Sequence, residues 1–337
     1  MGNWSIYRPA FTVATQVFRE GLRQDKKECE RRFGQPLKRV PYERLEEEAW
    51  KLAFTHRLTT TAPLAGAALL DEWLWREEGR HILFPVPGLL PRLYRARIDV
   101  TVDEFKMPMP TFILAMPAEE KFGGLCLPGC LVGSWNPVTK AERVARISRQ
   151  LGMNFDYEIP DAKEVANEGL FFTVTHLKEG SVTRWSIPHE KLKPLLACNP
   201  DEPEQFEALL GKYKGIGPFE MQVSADEVRM QYRLTKLLVA LCIYLRACPD
   251  AVTDGVPPPA LGLVPRFSVG HELGRKHVED EDRASPIGHW REWHFRRYPK
   301  NMKTGARREG VVFVTGSWVS GREHLHTVEE RNATGQG

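Results

Sequence analysis

The chain has 337 residues, 42% of them apolar and 27% charged, with a formal net charge of +3. That length suggests about two domains, and the apolar share supports a large core, which excludes an intrinsically disordered chain. The near-balanced charge excludes nucleic-acid binding driven by the molecule as a whole, so any such site has to be local.

The opening MGNWSIYRPAF has no apolar stretch of signal-peptide length, and Ile6 stands where myristoylation requires Ser or Thr. The longest apolar run, Leu237 to Leu245, has nine residues, against the roughly 20 of a membrane-spanning helix. These features predict a cytoplasmic protein that engages no membrane. Phe11, Ala14, Phe18 and Leu22 recur at helical spacing, in an amphipathic helix that continues through charged residues to Arg32 and stops at Gly34. A second helix is predicted from Tyr42 to about His56, its acidic first turn favoured by the helix dipole, and a third from about Ala67 to Glu78.

The period changes after His81. Residues 95–102 alternate in the two-residue repeat of a half-buried strand, and Thr111 to Met116 is a second apolar strand. Leu170 to Leu177 and Val182 to Ile187 read as a hairpin. Helical spacing returns at Pro203 to Leu210 and from about Ala225 to Cys248, where an almost wholly apolar centre implies a buried helix. Beyond it, Pro257, Pro258 and Pro259 mark a linker.

The fold class is therefore α+β, with a helical N-terminal region, an antiparallel strand-rich middle, a buried helix and a small C-terminal β module. The expected organisation is a main body over 1–248, a Pro-rich linker or strap over 249–265, a basic-aromatic module over 266–321 and a frayed tail over 322–337.

The six cysteines read as reduced thiols. Cys126 and Cys130 have a turn-like spacing but lack the two further ligands of a tetrahedral zinc site, and His324-x-His326 lies in the tail. Gly215-x-Gly217 is followed by Pro218, and Gly211-Lys212 by Tyr213, so neither makes a nucleotide cradle. Hydrolase-elbow, zinc-protease and calcium-loop motifs are missing from the sequence. No cofactor and no metal are expected.

The segment from Gly288 to Tyr298 stands apart. Between Arg283 and Arg308 there are eight basic residues against one acid, Glu292, a local balance of +7 that leaves −4 for the rest of the chain. Arg296, Lys300, Lys303, Arg307 and Arg308 suit a phosphate backbone, and Trp290, Trp293 and Tyr298 suit stacking on unpaired bases. His289 and His294 add groups that titrate near neutrality, the usual proton carriers of metal-independent phosphodiester cleavage.

Two geometries are open. In a strand, His294 shares a face with Glu292 and Arg296, and His289 with Arg291; in a helical turn, Arg291 and Arg297 flank His294 on one face. In the catalytic version His294 carries the proton, with His289 the other candidate imidazole of the segment; Arg291 and Arg297 stabilise the phosphorane, and the second acid or base comes from elsewhere, His271 and His277 being nearest in sequence. The bland alternative is a twisted hairpin with solvated arginines and tryptophans over a small core.

GHWREWHFRRYP followed by REGVVFVTGSWVSG resembles the H-W-R-x-x-H-x-R ending of functionally uncharacterised proteins of bacteria, plasmids and phages. MPMPTFILAMP and LVALCIYLRACPD resemble the apolar strand and helix of the same proteins, so the likeness covers about a quarter of the chain. It departs from their pattern at Lys300 to Lys303, where a shorter Gly-rich stretch is expected. The resemblance implies a phage or mobile-element setting. The leading expectation is a protein that engages RNA or single-stranded DNA; the alternative is a non-enzymatic protein that binds a host protein or serves a structural or regulatory assembly.

Overall fold

The computed structural model describes residues 4–58, 63–99, 107–135, 137–152, 171–178, 181–188, 192, 225–281, 289–290, 294–297, 311–314 and 318–319. After β1 (Trp4–Ser5), helix α1 (Ala10–Gln24) buries Phe11, Thr15 and Leu22. The single helix predicted as far as Arg32 is in fact two. Asp25 leaves the helical region, and its side chain accepts the Glu28 N–H at 3.0 Å, capping α2 (Lys26–Phe33). Gly34 closes α2 in the left-handed conformation at φ 66°.

Helices α3 (Tyr42–Leu58) and α4 (Pro63–Glu77) follow. α4 ends at Gly79, φ 101°, with the Arg80 N–H reaching back to the Trp75 carbonyl at 2.9 Å. Then come β2 (His81–Pro85), α5 (Leu89–Arg95) and β3 (Arg97–Asp99). The alternating run predicted as a strand from Arg95 thus contributes its first residue to a helix.

Next are β4 (Thr111–Leu114), β5 (Met116–Pro117), β6 (Lys121–Phe122), β7 (Leu125–Cys126), β8 (Cys130–Trp135) and α6 (Pro137–Leu151). β9 (Phe171–Lys178) and β10 (Ser181–Pro188) pair antiparallel as the predicted hairpin. The long helix α7 (Ala225–Ala247) precedes β11 (Val252–Asp254), β12 (Val269–Leu273) and α8 (Arg275–Glu281). The last strands are β13 (His289–Trp290), β14 (His294–Arg297), β15 (Val311–Val314) and β16 (Trp318–Val319). The predicted helix over 203–210 and the tail over 322–337 lie outside the described residues.

The fold is α+β. Its main sheet has seven strands in the order β10-β9-β8-β4-β2-β12-β11, with β4, β2 and β12 mutually parallel at the centre and antiparallel neighbours on both sides. Strand alternation splits the interior into two cores. Ile82, Phe84, Ile113 and Leu131 face Phe11, Trp50, Trp73 and Trp75 of α1, α3 and α4. Leu83, Phe112, Leu114 and Val132 face α5 and the 234–245 stretch of α7.

The Pro-rich stretch 249–265 contributes β11, the sheet's edge strand, between two short 3-10 turns. β12, from the stretch assigned to the C-terminal module, is an interior strand of the main sheet, and β14 pairs in parallel with β3. Five residues reading VGHEL carry no alternation strong enough to announce this; their place is set by hydrogen bonding to a strand far away in the chain.

Buried acids fasten the helices on the first face. The Glu72 carboxylate, fully buried on α4, accepts from the Tyr7 hydroxyl at 2.6 Å and from the Ala10 and Phe11 N–H groups at 2.7 and 3.2 Å. It thereby supplies from another helix the cap that Pro9 cannot give to α1. Glu72→Ala leaves two helix N–H groups and a buried hydroxyl without this acceptor, and a loss of about 3 kcal/mol is expected. Urea denaturation of Glu72→Ala and Glu72→Gln checks it; the glutamine variant, which keeps one acceptor oxygen, should fall between alanine and wild type.

Candidate functional site

The sequence-predicted site residues separate into three groups. His289 and Trp290 lie in β13, in register with Val319 and Trp318 of β16. His294, Phe295, Arg296 and Arg297 form β14, between β15 and β3. Arg291, Trp293, Tyr298, Lys300, Lys303, Arg307 and Arg308 lie outside the described residues.

Because 294–297 is a strand, His294 and Arg296 fall on one face and Phe295 and Arg297 on the other. The helical-turn grouping of His294 with Arg297 is therefore not formed. The extended ladder imposes a two-residue period in place of the three-residue spacing that grouping needs. Instead, the parallel register aligns His294 with Arg97 and Arg296 with Asp99, adding two charged residues of the main body to the face carrying His294 and Arg296. Nothing in residues 95–102 read alone signals that alignment.

His271 and His277, the candidate second catalytic groups, are both engaged. His277 Nδ1 is 2.6 Å from the Tyr244 hydroxyl, whose pKa is driven upward mainly by burial. His271 belongs to a chain of three side chains. Its Nδ1 is 2.8 Å from Asp254 Oδ1 on β11, and its Nε2 is 2.9 Å from His81 Nδ1 on β2. The His81 Nε2 lies so close to the α4 terminus that a Cβ at Gly79 would meet it at 2.9 Å.

This chain of side chains ties β11, β12 and β2 together. Sequence reading missed His81 and Asp254 because His81 and His271 are 190 residues apart.

Burial closes off several of the described cysteines. Cys130 is fully buried while Cys126 is exposed, so the two thiols do not face a shared ion. Burial pushes the Cys130 and Cys242 thiols up, and burial together with Asp250 pushes Cys248 up to about 11. Among the described residues no group of three His, Cys, Asp or Glu is arranged to hold a metal, and no helix is long and apolar enough to cross a membrane.

A cavity of about 290 Å³ opens near the C-terminal ends of β2 and β12, lined by Trp4, Phe84, Pro117, Pro257 and Pro259. Its charged lining residues, Glu272 and Arg275, are bonded to each other at 2.7 and 2.9 Å. The lining is thus largely apolar and presents no evident catalytic group. No protein-family model matches the chain, and no curated protein matches it.

Burial, followed by the facing His271, lowers the pKa of His81, while the Glu78 backbone bond and the Glu78 and Asp254 charges oppose the shift. A histidine whose folded pKa lies below its unfolded value contributes stability that is present above about pH 6.5 and is lost as the pH falls through the folded value. Urea midpoints at about pH 7.5 and pH 5.5 should therefore drop more steeply for wild type than for His81→Gln. Equal slopes would contradict the assignment.

Proposed function

We propose that this protein engages RNA or single-stranded DNA through its basic-aromatic C-terminal segment, and that it binds the strand without cleaving it. The observation that carries the reading is the register of β14 on β3, which sets His294 and Arg296 on one face beside Arg97 and Asp99. It lies within the +7 stretch of a chain whose remainder is negative. Local cationic charge next to aromatic residues is the composition that tracks a phosphate backbone and stacks its bases. The strand geometry separates His294 from Arg297, which removes the compact His-Arg-Arg arrangement that supported cleavage. A phage or mobile-element role in a bacterial cytoplasm, implied by the C-terminal likeness, belongs to the same reading.

Fluorescence anisotropy of a labelled oligo-U strand against salt tests it. Affinity should fall steeply with salt, by about 0.7 in the log-log slope for each phosphate neutralised on a single strand. The double variant Arg97→Gln/Arg296→Gln should flatten that slope by about 1.4. Absence of binding by the wild-type chain at low salt overturns the reading.

A further inference from the structure

The loop entering β12 has a geometry that folding alone does not explain. Phe267 sits at φ 63°, a backbone region that bulky L side chains avoid, yet the residue is 52% exposed. A half-solvated ring returns little burial for that conformational cost. Arg80 is likewise at φ 57°, and the two residues are linked. The Arg80 guanidinium donates to the Arg266 carbonyl at 3.1 Å, and the Arg80 carbonyl accepts the Val269 N–H at 3.1 Å. Strain held by surrounding contacts and spent on an exposed group is a pattern of binding sites.

What the loop presents is specific. The Arg266 guanidinium lies 4.8 Å from the Tyr42 ring centre and 4.7 Å from that of Phe267, and the two rings are 5.9 Å apart. Arg266 has no acid within ion-pair distance among the described residues. Oε2 of the nearby buried Glu46 accepts from Arg76 at 2.8 Å and from Arg80 at 2.6 Å. Arg19 adds a further positive charge near Tyr42, whose hydroxyl pKa is raised chiefly by burial, with Arg80, Arg266 and Arg19 pulling the other way. A guanidinium lying against aromatic rings keeps its planar edge of N–H donors for a phosphate.

We infer that Arg266, Phe267 and Tyr42 form a second contact for single-stranded nucleic acid, in which a base stacks on the exposed aromatic surface and its phosphate takes the Arg266 edge. This rests on the nucleic-acid reading above and adds a site at the loop entering β12 and the start of α3, outside the +7 stretch over 283–308. An acidic peptide would use the guanidinium alone and leave the strained, exposed phenylalanine without a role.

The test is oligo-U anisotropy at low salt on wild type, Phe267→Gly and Arg266→Gln, with thermal melts of each. Glycine accepts φ 63° without a Cβ penalty, so Phe267→Gly should melt at the wild-type temperature or above while binding at least about fivefold more weakly, as loss of one stacking surface implies. Arg266→Gln should lower the salt slope by about 0.7. If Phe267→Gly destabilises the fold, Arg266→Gln decides alone. Wild-type affinity in Phe267→Gly, or an unchanged slope in Arg266→Gln, overturns the inference. So does polyglutamate that competes as well as oligo-U of equal charge. Wild type that binds and responds to Arg97→Gln/Arg296→Gln but not to these variants overturns the second site only; wild type that does not bind overturns both.

Discussion

The parallel ladder between β2 and β12, from Val269 opposite His81 to Leu273 opposite Pro85, is the constraint on which the histidine chain and the Arg266-Phe267 loop depend. It joins segments separated by almost two hundred residues, so the chain bears a large loop-closure cost before these contacts form. Burial offsets that cost: Ile82, Leu83, Phe84 and Leu273 are all fully buried. With the ladder in place, His271 lies diagonal to His81 on one face, and Arg266 and Phe267 are delivered beside Tyr42 at the ladder's entrance. Were β12 to slip by one residue, His271 would move to the opposite face and both arrangements would be lost.

Buried acids add directional contacts that the apolar cores cannot. Glu46 gathers Arg76 and Arg80 on α3's side of the sheet, Glu72 caps α1, and Asp71 on α4 holds Arg184 of β10 at 2.6 Å. Apolar side chains of similar volume could match such pairs in stability, but these contacts form only when the partners are at the native register. Arg80 illustrates the point. Its guanidinium binds Glu46, supports the Arg266 carbonyl and lies against Phe11 and Phe267, so one side chain couples a helix core to an exposed loop.

Local periodicity carried much of the architecture. α1, α3, α7 and the β9–β10 hairpin were legible because their apolar residues recur at 3.6 or two residues over long stretches. The break at Asp25 was less so, since a capping side chain interrupts a helix without altering its apolar stripe. β8, β12 and α6 escaped notice: β12 is short and defined by a partner far away in the chain, and α6 follows β8 after a single residue.

The site was legible in composition but not in arrangement. The concentration of arginine and tryptophan after residue 283 is plain in the sequence, whereas the alignment of Arg296 with Asp99 exists only once β14 adds to β3. Arg266-Phe267 shares the same chemistry, a basic residue beside an aromatic one, and directly follows Pro265. It opens the stretch read as the C-terminal module and was passed over there, because the denser basic-aromatic run after residue 283 drew the reading. His81, His271 and Asp254 have no sequence signature, since three common residue types far apart become a chain only through sheet order.

Hydrogen–deuterium exchange of the intact protein with and without a saturating oligo-U strand tests most directly the claim that the surface organised by β2 and β12 meets nucleic acid. Slower exchange at the amides of 264–270 and 42–46, together with the β14 strand, is the predicted result. Exchange at 264–270 that is unchanged by a strand shown to be bound would contradict it.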